Sequence, residues 1–137
     1  AALSRADISE RNRKDTYVFI DEAHNFLTDN LATVLSESRK YHVSYILASQ
    51  YLEQFDEKLR AAVFGNVGTI IAFRVGARDS EYLAKEFYPV FDQEDLINLP
   101  AYHIYLKLVI AGVASSPFSA ITLPSQFSDR SPPPANE

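Results

Sequence analysis

Two carboxylates directly follow a run of large apolar residues near the start of the chain. The apolar run is Tyr17 to Ile20, and the carboxylates are Asp21 and Glu22. An unbroken apolar run is typical of a strand that is buried on both faces inside a parallel sheet. Ligands bind at the carboxyl ends of such strands, where these two acids would lie. The pattern has the form of a Walker B element, in which the Asp holds Mg2+ and an adjacent acid orients the attacking water. The alternative is that the two acids only cap the loop and helix that follow.

A second apolar run ends in an amide instead of an acid. It covers residues 43–50 and closes with Gln50. The intervening sequence predicts a helix that is capped by Thr28 or Asp29 and reaches about Tyr41, because its apolar residues recur with the helical period. Two strands joined by one helix form a right-handed βαβ unit, and parallel strands end at the same edge of a sheet. We therefore expect Gln50 to lie near the carboxylates.

The remaining sequence predicts further alternation of helices and strands, followed by a hairpin. The expected elements are a helix within 51–66 that stops at Gly65-Asn66, a strand over 69–75, a helix capped by Asp79 or Ser80, a short helix with an Asp92 and Asp95 capping box, and an antiparallel hairpin of 102–110 with 118–123. The fold class is α/β, with parallel strands, helices on both faces of the sheet and a C-terminal β-hairpin. Residues 125–137 are rich in Ser and Pro and are expected to be disordered.

Composition limits the classes of function. The chain has 137 residues, no Cys, no Met and a formal net charge of -5. The lack of Cys excludes a disulfide framework and thiolate metal sites, and the acidic balance argues against nucleic-acid contacts over the whole surface. No apolar run approaches the ~18 residues that span a bilayer, so we expect a soluble chain. The lack of Cys fits a cytoplasmic location, or the cytoplasmic face of a membrane complex in the parent protein. Because the sequence starts Ala1-Ala2-Leu3 and has no Met, we interpret it as a piece of a longer protein.

Taken together, these motifs resemble a known group of motor proteins. The sequence is similar to the carboxyl-terminal half of the RecA-like ATPase domain of the HerA/FtsK superfamily, closest to the conjugative coupling ATPases of type IV secretion systems, the TraD/TraG group. The segments that carry the resemblance are 17–26, 35–40, 46–50, 64–69 and 73–76. It covers about residues 5 to 124, and the order and spacing of the segments are more specific than any one of them.

The resemblance implies a role for each matched residue. Asp21 would hold Mg2+ through water, Glu22 would activate the attacking water and Gln50 would sense the γ-phosphate. Arg39 matches the arginine finger that each subunit of the hexamer offers to its neighbour's nucleotide, and a guanidinium can fork across phosphate oxygens. The alternative for Arg39 is a solvated side chain beside Lys40. Arg74 is a secondary candidate for an intersubunit or DNA contact.

One motif of this superfamily is not in the sequence. No Gly-x-x-x-x-Gly-Lys-Ser/Thr run occurs, so the phosphate-binding loop is expected upstream. We interpret residues 1–124 as the C-terminal half of the ATPase domain, which would be inactive alone and would bind ATP, Mg2+ and DNA only in the intact hexamer. The phosphate-loop strand would normally lie between the strands at 43–50 and 69–75. We expect these two strands either to pair directly or to fill the gap by dimerisation.

Two other functions fit parts of the sequence. The chain could be a non-enzymatic oligomerisation or interaction module. The tetrapeptide from Asp21 to His24 also matches the DEAH box of RNA helicases, but Ala48-Ser49-Gln50 stands where those helicases carry Ser-Ala-Thr. His24 itself is interpreted as a loop residue near the site. The three His residues show no ligand spacing, which argues against a metal hydrolase.

Overall fold

The computed structural model describes residues 12–26 and 31–123. The predictions for the helix cap at Thr28 or Asp29 and for the tail at 125–137 lie outside these residues.

The first two strands form the parallel pair that the sequence predicts, but the first strand is not buried on both faces, because Tyr17 and Phe19 are exposed. Strand β1 (Thr16–Ile20) lies beside β2 (Val43–Leu47) in parallel register, with Thr16 opposite Val43 and Ile20 opposite Leu47. Helix α1 (Leu31–Ser38) and a 3-10 turn (Arg39–Tyr41) connect them. The carboxyl ends of both strands therefore lie at one edge, and the 3-10 turn precedes the amino end of β2.

The next segment brings the chain from β2 to a short third strand. A 3-10 turn (Leu52–Gln54) precedes α2 (Glu57–Asn66), and the carboxylate of Asp56 caps this helix by accepting a hydrogen bond from the backbone N–H of Leu59 at 2.7 Å. Strand β3 (Ile70–Ala72) follows. The helix ends at Asn66, as the Gly65-Asn66 stop predicts.

Two helices follow β3, and one of the predicted caps is wrong. Helix α3 (Ala77–Phe87) is capped by Gly76, and α4 (Gln93–Ile97) carries the predicted capping box of Asp92 and Asp95. Asp79 lies inside the first turn of α3, where its buried carboxylate accepts a hydrogen bond from the backbone N–H of Leu52 at 3.0 Å. This acid ties two segments together instead of capping its own helix.

The C-terminal strands confirm the predicted antiparallel hairpin and add a smaller one. Strand β4 (His103–Lys107) pairs antiparallel with β7 (Phe118–Ile121). Between them, β5 (Val109–Ile110) and β6 (Val113–Ala114) form a hairpin that the sequence does not predict, because residues 109–110 are expected to continue the strand of 102–110. Its turn has positive φ at Ala111 and Gly112, the conformation of hairpin turns that match strand twist.

The position of β3 differs from the expectation. Strand β3 pairs antiparallel with β4 and belongs to the sheet β3-β4-β7, separate from the β1-β2 pair. Direct pairing of β2 with β3 is therefore wrong for the single chain, because the two strands belong to different sheets, β2 beside β1 and β3 beside β4. Among the described residues, each of these two strands keeps one edge without a strand partner. The alternative of filling the gap by dimerisation stays a prediction.

The main core lies between α3, α4 and the antiparallel sheet. Its centre is a cluster of aromatic rings: Phe91 stacks on Tyr105 with ring centroids 3.7 Å apart, and Phe87 meets both rings at tilted angles. The buried members of the core are Ala72, Leu83, Phe87, Leu96, Leu99 and Tyr105. The alternation of Tyr102, Ile104 and Leu106 suggested one apolar face of β4, whereas the buried residue of this strand is Tyr105 on the other face.

Candidate functional site

Main-chain hydrogen bonds fix the turn that follows β1 and carries Asp21 and Glu22. Glu22 has φ 47° and ψ 50°, the left-handed region that is costly for a residue with a Cβ, and it precedes a 3-10 turn (Ala23–Asn25). The backbone N–H of Ala23 donates to the carbonyl of Ala48 at 2.9 Å, and the N–H of Ala48 donates to the carbonyl of Ile20 at 2.9 Å. Main-chain hydrogen bonds thus fasten this turn to the segment that follows β2.

This fastening brings Gln50 to Glu22, as the βαβ order predicts. The Nε2 of Gln50 donates to Oε1 of Glu22 at 2.6 Å. A short hydrogen bond from an amide to a carboxylate is charge-assisted and restricts the direction of the carboxylate. Gln50 keeps a second N–H on the same nitrogen, so one amide can contact Glu22 and another acceptor at the same time.

His24 lies on the other side of the same carboxylate, at a position that the sequence assigned only to a nearby loop. Its Nδ1 is 3.5 Å from Oε2 of Glu22, and its side chain is 16% exposed. The ring meets Phe55 edge-on, with centroids 6.4 Å apart, and Phe55 is buried. The buried Nδ1 has no hydrogen-bond partner in the described part of the chain. The feature of the sequence that could have indicated this contact is the position of His24, two residues after Glu22 in a tight turn.

Asp21 lies beside this group and is exposed. Its Oδ1 accepts a hydrogen bond from the backbone N–H of Glu22 at 2.9 Å, which leaves the other carboxylate oxygen for water or a cation. Within residues 12–26 and 31–123, no group of three or more His, Cys, Asp and Glu could hold a metal ion. Mg2+ is often bound by one or two carboxylates together with waters and substrate phosphates. The donor set therefore fits a Mg2+ that arrives with a nucleotide.

Neither candidate arginine has a described contact with this carboxylate group. The backbone of Arg39 begins the 3-10 turn before the amino end of β2, whereas Asp21 and Gln50 follow the carboxyl ends of the two strands. The side chain of Arg39 lies outside the described part of the structure. Arg74 is exposed just after β3 and makes no ion pair with a described residue.

The turn that carries Arg39 is anchored by contacts that the sequence did not indicate. Arg13 donates from Nη1 to the carbonyl of Lys40 at 2.6 Å, and both cations lie 5.3 Å from the ring centroid of Tyr41. His42 adds a contact of its Nδ1 with a carboxylate oxygen of Asp15 at 3.1 Å. This edge of the βαβ unit is therefore structurally distinct from the edge with the carboxylates.

A further concavity is lined by none of these candidate residues. It is an open cavity of about 620 Å³, and its lining residues are Glu53, Arg60, Arg78, Glu81 and Tyr82. Arg78 donates to Glu53 at 2.8 Å, and this hydrogen bond and charge raise the pKa of the Arg78 guanidinium. The guanidinium of Arg60 lies 4.0 Å from the ring centroid of Tyr82. Both arginines already have partners, so the cavity is a poor candidate for the site.

Comparison with known proteins gives a family and several related folds. The family TraG-D_C, described as the TraM recognition site of TraD and TraG, matches residues 15–87, more than half of the chain. The fold is similar to the plasmid coupling protein TrwB in complex with ADP and Mg2+, with a TM-score of 0.74, 16% identity and coverage of 96% of this chain and 36% of that one. The same protein with the GTP analogue GDPNP matches equally well.

A viral protein also has a similar fold. It is the genome packaging NTPase B204 from Sulfolobus turreted icosahedral virus 2 in complex with ATP-gammaS, with a TM-score of 0.56, 19% identity and coverage of 77% of this chain and 53% of that one. No curated protein sequence is detectably similar. The chain spans about a third of the length of the coupling protein it matches. No helix in the described ranges is long and apolar enough to cross a membrane. The shared fold is the RecA-like α/β fold, here with antiparallel strands at its C-terminal end.

Proposed function

This chain belongs to the TraG-D_C family, described as the TraM recognition site of TraD and TraG, and from this premise we propose that it is the C-terminal half of the ATPase domain of a coupling or DNA-translocating NTPase. The single observation that carries the proposal is the short hydrogen bond between Gln50 and Glu22 beside Asp21. It joins an amide and an acid from two adjacent parallel strands at the edge where such sheets bind ligands.

In this proposal each residue at the carboxyl edge has one task. Glu22 accepts the proton of the attacking water, because its carboxylate is held in place and is partly exposed. Gln50 holds that carboxylate with one N–H and offers the second to the γ-phosphate. Asp21 contacts the hydration shell of Mg2+ with its free oxygen, and the bound ion would neutralise charge on the phosphates.

Other parts of the intact protein would complete the site. The sequence has no Gly-x-x-x-x-Gly-Lys-Ser/Thr run, so an upstream phosphate-binding loop would hold the nucleotide and this chain would not hydrolyse ATP alone. Arg39 would act on the nucleotide of a neighbouring subunit, because its turn lies at the edge opposite Glu22. We place the intact protein in a hexameric ring of the HerA/FtsK type that moves DNA, with Arg74 as a secondary contact residue.

The test is ATP hydrolysis by the full-length protein, with and without double-stranded DNA. Glu22→Gln keeps the shape of the side chain and removes the base, so we expect DNA-stimulated kcat to fall by about 10²- to 10⁴-fold while ATP still binds. Arg39→Ala should lower kcat by about 10³-fold or more if it is the finger. The matched controls are Glu57→Gln and Arg78→Ala, two exposed residues outside the proposed site. Full activity in both test variants would contradict the proposal.

The family description favours a second candidate, a recognition site for a TraM-type protein. The β1-β2 pair carries exposed apolar side chains on one face: Tyr17, Phe19 and Ile46. If this face serves recognition, Phe19→Asp should weaken binding of the TraM-type protein of the same conjugation system by at least tenfold in calorimetry. Phe26→Asp, another exposed Phe in the turn after β1, is the control. Equal binding by wild type and both variants would leave this face without that function.

A further inference from the structure

His24 has a place in the site that the proposed function does not yet use. Gln50 holds Oε1 of Glu22, and His24 Nδ1 faces Oε2 of the same carboxylate at 3.5 Å. The ring is fixed by its edge contact with the buried Phe55, and its Nδ1 is buried without another hydrogen-bond partner among the described residues. A shift of a few tenths of an ångström would bring the two atoms to hydrogen-bond distance.

We propose that His24 is a positioning residue for Glu22, the partner that holds the second oxygen of the carboxylate opposite Gln50. The inference rests on the proposed function, because it assumes that Glu22 is the base. Two features of the structure make this contact consequential. Glu22 has a left-handed backbone, so its side chain leaves the chain in an unusual direction, and the one hydrogen bond from Gln50 leaves the carboxylate free to rotate about that contact. A second contact from Nδ1 on the opposite oxygen restricts this rotation.

The role of the Nδ1 atom can be separated from the role of the ring. In His24→Asn, the amide nitrogen takes the place of Nδ1 and the ring is lost. In His24→Phe, the edge contact with Phe55 is retained and the donor is lost. If His24 serves only to pack the loop, Phe should substitute for it without loss. If His24 positions Glu22, Asn should substitute for it and Phe should not.

The experiment measures kcat, KM and the unfolding midpoint of the full-length protein for His24→Ala, His24→Asn and His24→Phe. We expect His24→Ala to lower kcat by about 10- to 100-fold with little change in KM, because the base is misplaced while binding is retained. Asn should restore most of kcat, and Phe should restore the unfolding midpoint but not kcat. Recovery of kcat by Phe, failure of Asn to restore it, or wild-type kcat in His24→Ala would each overturn the inference.

Glu22→Gln, measured in parallel, separates this inference from the proposed function. If Glu22→Gln loses turnover and His24→Ala does not, the base assignment stands and the positioning role is wrong. If Glu22→Gln retains full turnover, the proposed function fails first. A crystal structure of nucleotide-free His24→Ala then decides the positioning claim independently of hydrolysis. We expect the Glu22 carboxylate to leave Gln50 or to occupy several conformers, and a Glu22 that is unchanged would overturn the claim.

Discussion

At the scale of single residues, Glu22 combines the side chain that we propose as the base with an unfavourable backbone. Its φ of 47° lies in the region that glycine adopts without a steric cost. Backbone strain of this kind often occurs at functional sites, where the rest of the structure maintains it. The chain therefore places a carboxylate where the fold itself would favour glycine.

This conflict leads to a prediction about stability. Glu22→Ala and Glu22→Gly both remove the carboxylate, but only Gly relieves the left-handed conformation. We expect the Gly variant to be more stable than the Ala variant by about 1 kcal/mol in urea unfolding, and neither to support hydrolysis. An Ala variant as stable as the Gly variant would mean that the turn relaxes to another conformation in solution.

Tyr105 leads to a prediction about alkaline pH. Burial raises its pKa above the ordinary value of 10.0, and the carboxylates of Asp95 and Asp92 raise it further. The unfolded chain therefore loses this proton at lower pH than the folded chain, so the free energy of unfolding decreases as the pH rises above about 10. Tyr105→Phe should reduce this decrease while keeping the ring that stacks on Phe91. The measurement is urea unfolding at pH 8 and at pH 10.5, and an equal decrease in both proteins would contradict the assignment.

At the scale of elements, α3 packs into the core through one fully buried ring, that of Phe87. Phe87 is 0% exposed, and its ring meets the stacked rings of Phe91 and Tyr105 at tilted angles. We expect Phe87→Ala to cost about 3–5 kcal/mol, because it leaves a cavity among rings that cannot easily collapse. The matched control is Phe26→Ala, whose ring is 69% exposed and should change stability by less than about 0.5 kcal/mol. Similar losses in both variants, measured by urea unfolding, would show that Phe87 does not centre the core.

The elements that could be predicted from the sequence are those with local signals. The capping box of Asp92 and Asp95 depends on residues three positions apart, and the β1-α1-β2 unit depends on apolar runs that one helix separates. The same unit predicts the contact of Gln50 with Glu22, because the carboxyl ends of parallel strands share an edge.

Features that depend on distant partners could not be predicted in the same way. The three-residue strand β3 has no pattern that selects β4 over β2 as its neighbour, since pairing is decided by long-range packing. The β5-β6 hairpin turns at Ala111-Gly112, which is a weaker signal than Asn-Gly. The approach of His24 to Glu22 follows from the left-handed backbone of Glu22, which side-chain types alone do not indicate.

At the scale of the whole molecule, the two edges of the βαβ unit carry different parts of the proposed machinery. Glu22 lies at the carboxyl edge and the turn of Arg39 lies at the amino edge. In a closed ring, such a subunit would serve its own nucleotide with one edge and its neighbour's nucleotide with the other.

Mixed rings test this division of roles. Glu22→Gln subunits and Arg39→Ala subunits should each be nearly inactive alone. In an equal random mixture, about a quarter of the interfaces would combine an intact Glu22 with an intact Arg39, so hydrolysis should recover to about a quarter of the wild-type rate. If Arg39 acted on the nucleotide of its own subunit, no interface in the mixture would be complete. Rates that stay at the level of the single variants would therefore contradict the role in the neighbouring site.

The exposed residue Ala48 provides both main-chain hydrogen bonds that fasten the turn of Glu22 to β2. Backbone atoms are the same in every residue except proline, so almost any substitution at position 48 preserves both bonds. Substitutions at position 48 should therefore leave the geometry of the site unchanged. Related sequences could therefore differ at position 48 and still keep the Glu22 carboxylate and the Gln50 amide in contact.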